Sequence, residues 1–336
     1  MRIDLRLDAA PEDAARRATE LADAGVDGLF TFEGQHDVFL PLALAAQACS
    51  LPIMTNIAVA LPRSPLHLAH VSHDLHRLSG GQFTLGLGSQ VKTHIERRYG
   101  STWSQPAKRM REIVGATREI LAAWSQGRAP EFHGEFTRHD FMPPTFTPEP
   151  LPWGPPPVMM GALGPLMTRT AGEVSDGLLV MPFNTIRHIH ERTLPALREG
   201  MERGGRAASE VALLPEVITA VGTNDEEYAA AVRSARSLVA FYASTPAYAP
   251  VLEVEGIADL QPHLQRLLRA GKVEEMADEV GDDLLDAIAV RGTPVECAEK
   301  IAARFGTLTE RVCAYFPGSA PSLPAIAELA GALHDA

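Results

Sequence analysis

The chain holds only three cysteines in 336 residues. Cys49, Cys297 and Cys313 are too far apart for a C-x-x-C pair, so no disulfide framework or cysteine-rich metal knot is expected. Buried thiols in a reducing compartment are the expectation. No run of about eighteen apolar residues occurs, and the start MRIDLRLDAAPEDA has no apolar signal core. A cytoplasmic protein with no membrane partner is therefore expected. Basic charge is also in deficit: the formal net charge is −12, with both signs interspersed. That argues against nucleic acid as a partner and leaves a small-molecule ligand. Hydrophobic residues make up 46%, enough for one large core.

What is present is an alternation of strand-like and helix-like segments. Arg2 to Leu7, Gly28 to Phe32, Ile53 to Leu61, Gln82 to Leu87, Pro157 to Gly161, Asp176 to Met181, Val211 to Val221 and Glu310 to Phe316 read as eight strands. Amphipathic segments separate them. Ser64-Pro65 supplies an N-cap and a proline at N1 for one helix, and Thr293-Pro294 opens what reads as the last core helix. Eight such units predict an α/β fold, a (β/α)8 TIM barrel, as one domain over residues 1–336. Two insertions interrupt it: a proline-rich excursion over 130–157 and a largely helical one over 243–290.

The stretch from Ser79 to Tyr99, SGGQFTLGLGSQVKTHIERRY, is the most informative. A helix stop is followed by a short strand and a glycine-rich exit loop, where backbone N–H groups can approach a phosphate. Gly86 and Gly88 give G-x-G, but Val91 breaks a dinucleotide fingerprint. Gly161 and Gly164 form a second clearing ahead of a helix N-terminus. Ser89 has no G-x-S-x-G context, which speaks against a hydrolase elbow. His67, His70, His73 and His76 fan around the polar side of one helix without a completing carboxylate or thiolate. They read as solvated, and no metal site is expected. His36 and Asp37 lie in the loop after the second strand, on the expected catalytic face. His36 is either a proton carrier or a solvated loop residue. Arg97 and Arg98 are either an anion clamp or a charged helix surface.

Taken together, several segments resemble the bacterial luciferase-like superfamily of flavin- and deazaflavin-dependent barrels. They are Arg63-Ser64-Pro65, Leu75 to Ser89, Met160-Gly161-Ala162-Leu163-Gly164-Pro165 and Ala171-Gly172-Glu173 with Ser175-Asp176-Gly177. Within that superfamily the chain looks most like the coenzyme F420-dependent oxidoreductases. The resemblance implies a non-proline cis peptide at Asn56-Ile57, on a bulge beneath the central ring of the cofactor. It places the cofactor phosphate near Gly88, Ser89 and the loop Met160, Gly161, Ala162, Leu163 and Gly164. It also gives Glu33 the ring's polar edge and His36 the catalytic proton. Val91 stands where some deazaflavin sugar-phosphate dehydrogenases carry a glutamate, so a hexose phosphate is not the expected substrate.

The expected activity is hydride transfer between coenzyme F420 and a small organic substrate, by a homodimer. Two alternatives stay open: an FMN-dependent monooxygenase using O₂ and a separate flavin reductase, and a flavin-binding protein without turnover.

Overall fold

In a computed structural model describing residues 1–336, the apolar runs become eight parallel strands that close on themselves. They are β1 (Arg2–Arg6), β2 (Gly28–Thr31), β3 (Ile53–Thr55, resuming as Ala58–Val59), β4 (Phe83–Gly88), β5 (Val158–Ala162), β6 (Gly177–Val180), β7 (Ala212–Val221) and β8 (Arg311–Tyr315). Each pairs with the next, and β8 returns to β1, with Ile3 opposite Val312. This is a (β/α)8 TIM barrel. Parallel strands need crossovers, and amphipathic helices supply them. The helices that frame the site are α1 (Pro11–Asp23), α2 (Leu40–Ala48), α3 (Pro65–Leu78), α4 (Lys92–Arg97), α5 (Pro106–Ser125) and α6 (Pro165–Val174). No helix is long and apolar enough to cross a membrane.

Alternation along each strand sends one set of side chains outward under the helices and the other into the lumen. Phe30, Met54, Met159, Leu179, Leu214 and Cys313 pack together inside. They plug the barrel, so ligands can reach only its ends. Below this layer, Asp4 of β1 is ion-paired to Arg311 of β8. Burial raises the Asp4 carboxyl to about 6 against the pull of Arg311. Gly28 leaves room for this pair, since a Cβ there would collide with the Asp4 carboxylate.

Several elements differ from the sequence expectation. A further helix, Leu323–Asp335, follows β8 and buries Ala325, Ile326, Leu329, Ala330 and Leu333 against the core. A short strand, Val290–Gly292, pairs with the end of β7 at Thr219–Val221 and is not one of the eight. The helical segment between β6 and β7 contains a π-turn over Ile189–Thr193. Pro195 explains it: lacking an N–H, it cannot close the ordinary helical bond to Glu191. The expected solvated histidine face of α3 is also corrected. His73 is 5% exposed and His76 is 2% exposed. The periodicity of α3 could not reveal their cover, because Trp124 comes from α5 and Trp153 from the proline-rich excursion.

The insertion over 243–290 is helical and carries its own apolar cluster, which packs on the helix Asp225–Ala243. Leu163 and Phe183, from the loops after β5 and β6, belong to the same cluster. The insertion therefore covers one side of the C-terminal mouth.

Candidate active site

The mouth is organised around the interruption of β3. The strand stops at Thr55 and resumes at Ala58, and the Asn56-Ile57 peptide between them is cis. Both sides of the break are anchored. Asn56 N–H donates to the Thr31 carbonyl at 2.7 Å. The Thr55 hydroxyl donates to Gly86 O at 2.8 Å and accepts from Gly86 N–H at 2.9 Å. The Asn56 Nδ2 amide is fully buried, with the Cys313 thiol as its polar neighbour.

Ile57 explains two of the glycines. A Cβ on Gly88 would lie 2.6 Å from Ile57 Cδ1, and one on Gly161 would lie 3.1 Å from Ile57 Cγ2. The bare Gly88 makes room for Ile57, and Gly161 eases its packing. Gly86 is bare for a backbone reason: a Cβ would run into the Thr55 carbonyl. Gly164 has open space around it and is the N-cap of α6 without any capping side chain. The first-turn N–H groups of α6 are therefore free to bind an anion. Met160 faces outward under the helices, and Ser89 turns its hydroxyl onto Gln90 O at 3.1 Å.

Glu33 is an anchor. One carboxylate oxygen accepts from Val59 N–H at 3.0 Å and from Arg63; the other accepts from the Tyr99 hydroxyl at 3.0 Å. Arg63 also donates to Val59 O at 2.7 Å. With 10% side-chain exposure, Glu33 ties the end of β2 to the resumed β3 and to the segment after α4. Burial, followed by the neighbouring Glu33 charge, pushes the Tyr99 hydroxyl above its ordinary pKa, so it stays a donor. Arg98 donates to Gly34 O at 3.2 Å. His36 is exposed, on the rim of a cavity of about 570 Å³ shared with Arg6, Thr31 and Phe32. Asp37, beside it, caps the start of α2 through Phe39 N–H and Leu40 N–H at 2.8 and 2.9 Å.

The floor of the mouth holds residues the sequence reading did not single out. The Arg6 guanidinium lies 4.0 Å from the centre of the Phe32 ring and 6.0 Å from that of Tyr315. It also pairs with Asp8 at 3.0 Å. Glu216 occupies the middle of β7, and Tyr242 reaches over from the helix Asp225–Ala243. A glutamate inside the apolar run ALLPEVITAV was the available signal. On the covered side, the Thr185 hydroxyl donates to Glu255 at 2.6 Å, pinning the loop after β6 to the insertion. His188 is buried there and pairs with Asn184 Oδ1 at 2.9 Å. Burial lowers its imidazole to about 4, so it is neutral and structural.

A closed barrel with ligand-facing groups at its C-terminal end is common to many enzymes. The model of the luciferase-like monooxygenase family matches residues 2–311. The chain belongs to that family. Relatives it resembles include an uncharacterised protein of Mycobacterium tuberculosis strain H37Rv, 44% identical over 93% of each chain. A 5,10-methylenetetrahydromethanopterin reductase of Archaeoglobus fulgidus is 30% identical over 71% of this chain and 68% of its own. Among solved structures, the coenzyme F420 dependent tetrahydromethanopterin reductase of Methanopyrus kandleri superposes with a TM-score of 0.80. It is 20% identical and covers 100% of this chain and 98% of its own. As a luciferase-like protein, the chain is an oxidoreductase.

Proposed function

We propose that this oxidoreductase uses coenzyme F420 and exchanges a hydride between the deazaflavin and a small organic substrate. The seating of Ile57 carries this reading. Gly88 and Gly161 give up their side chains so that Ile57 can stand at the mouth as an apolar wall. A flat ring system is the ligand such a wall suits. The uncapped α6 N-terminus at Gly164 suits the cofactor's phosphate. The Methanopyrus and Archaeoglobus proteins are both named as methanopterin reductases, the former as dependent on coenzyme F420.

When bound, the deazaflavin supplies a two-electron centre at C5, where a flavin has N5. The chain's own residues then have distinct tasks. Ile57 would back the ring and fix which of its faces is open. Glu33, Arg63 and Tyr99 hold Val59, and through it Ile57, in place. The layer from Phe30 to Cys313 closes the lumen beneath and keeps water out. His36, at the rim, can pass protons between solvent and pocket.

Ile57→Ala tests the reading. It should weaken deazaflavin binding roughly tenfold, about 1.4 kcal/mol, measured by absorbance titration. Unchanged affinity in a folded variant would contradict the proposed seat.

A further inference from the structure

The lumen above the Phe30–Cys313 layer contains a carboxyl that the reading above leaves unused. Glu216 lies on the inward face of β7. Leu214, two residues below, packs against the lumen layer, and Ile218, two above, joins the cluster beneath the insertion. Glu216 is half-buried, on the lumen side of its strand. It has no hydrogen bond or ion pair with the protein, and its one influential cation is Arg6. The groups around it come from three elements: Arg6 of β1, Cys313 and Tyr315 of β8, and Tyr242 of the helix Asp225–Ala243. Asp4 acts on Cys313 from below and Asp8 on Tyr315 from above. Arg6 is stacked on Phe32 and paired with Asp8, so its charge is already partly committed. The hydroxyls of Tyr242 and Tyr315 are likewise without protein partners. Glu216, Tyr242 and Tyr315 thus lie near one another without protein hydrogen-bond partners, where native interiors normally pair such groups.

We propose that Glu216 is the acid and base that gives and takes the substrate's proton, assisted by the Tyr242 and Tyr315 hydroxyls, and that the substrate is a small carbonyl or imine compound or its reduced form. This rests on the deazaflavin reading. Burial pushes the Glu216 carboxyl up to about 8, so at neutral pH it carries the proton it would donate. In the reductive direction, hydride from the reduced deazaflavin forms a C–H bond at the carbonyl or imine carbon. The π pair of C=O or C=N moves to the heteroatom, which takes the proton from Glu216 as the carboxyl O–H bond breaks. The substrate gains two electrons and the deazaflavin loses two. The carboxylate left behind faces Arg6 until solvent reprotonates it. Oxidation is the same step reversed.

Glu216→Gln keeps the shape and removes the proton; Glu216→Asp keeps the acid. In the protein without cofactor, infrared spectra should show a carboxylic-acid carbonyl band that fades as pH rises through about 8. Glu216→Gln should lack it. With F420 bound, the wild type should reduce at least one member of a panel of ketones, aldehydes and imines. Glu216→Gln should lose about 10²- to 10⁴-fold in kcat with deazaflavin affinity unchanged. Glu216→Asp should recover part of that loss. Absence of the band, no reduction of any panel member, or a Glu216→Gln kcat within about threefold of wild type would overturn the assignment. Loss of activity in His36→Ala with none in Glu216→Gln would move the proton to the rim. Failure of the wild type to bind the deazaflavin is a separate result, and it would overturn the cofactor reading itself.

Discussion

Glu216 illustrates how a single residue couples stability to chemistry. Its folded pKa is about 8 against an ordinary 4.5, so the folded state favours the neutral form. The sign follows from linkage. Its contribution is fully present below 4.5, is lost as pH rises, and is gone once pH has passed about 8. At about 1.4 kcal/mol per pH unit above 4.5, the carboxyl costs roughly 3 kcal/mol at neutral pH. Glu216→Gln should therefore melt close to wild type in mild acid and increasingly above it towards pH 8, measured by calorimetry. Asp4, raised in the same direction, is present in both proteins and cancels. A melting difference independent of pH would contradict the placement of Glu216. Removing Glu33 should destabilise the fold. Glu33→Ala strands Arg63 and the Val59 N–H, and should cost about 3 kcal/mol, seen as a lower Tm at neutral pH. At this scale the sequence was only partly legible. Glu33 and His36 were visible because they sit in a loop after a strand. That Glu33 is saturated by Val59, Arg63 and Tyr99, while Glu216 is left unpaired, depends on which strands become neighbours.

At the scale of elements, the break in β3 and its glycines set the site. Gly86→Ala would drive a Cβ into the Thr55 carbonyl, a backbone atom that cannot swing aside. It should destabilise by at least about 2 kcal/mol, measured by denaturant unfolding. Gly164→Ser makes the contrasting case. Serine is a strong N-cap, so its hydroxyl should occupy the free first-turn N–H groups of α6. The variant should hold or slightly raise Tm while weakening deazaflavin binding. Unchanged binding would show that α6 does not hold the phosphate. The strands themselves were readable, because each is a short apolar run bounded by turn residues. The glycines were readable as clearings, but their tenant was not. Gly88 and Gly161 are 73 positions apart, and Ile57 meets both only once β3, β4 and β5 are side by side. The π-turn before Pro195 had a local cause in the sequence, and the helix Leu323–Asp335 had its own apolar periodicity.

For the whole molecule, the barrel was legible because its alternation is a property of the entire chain. The partial roof was not. The insertion over 243–290 reads as helix from its composition, but only tertiary packing brings Leu163 and Phe183 into its cluster and sets it over one side of the mouth. The result is a barrel mouth closed below by side chains, with Ile57 at the break in β3, the insertion over one side and His36 lining an exposed cavity at its rim. Such a mouth suits a two-electron transfer shielded from water. The most direct test of this account is a titration of the purified protein with coenzyme F420 and with FMN in parallel, followed by their visible absorbance bands. Stoichiometric binding with clear preference for the deazaflavin is the predicted result. Preference for FMN, with substrate turnover that requires O₂, would contradict it.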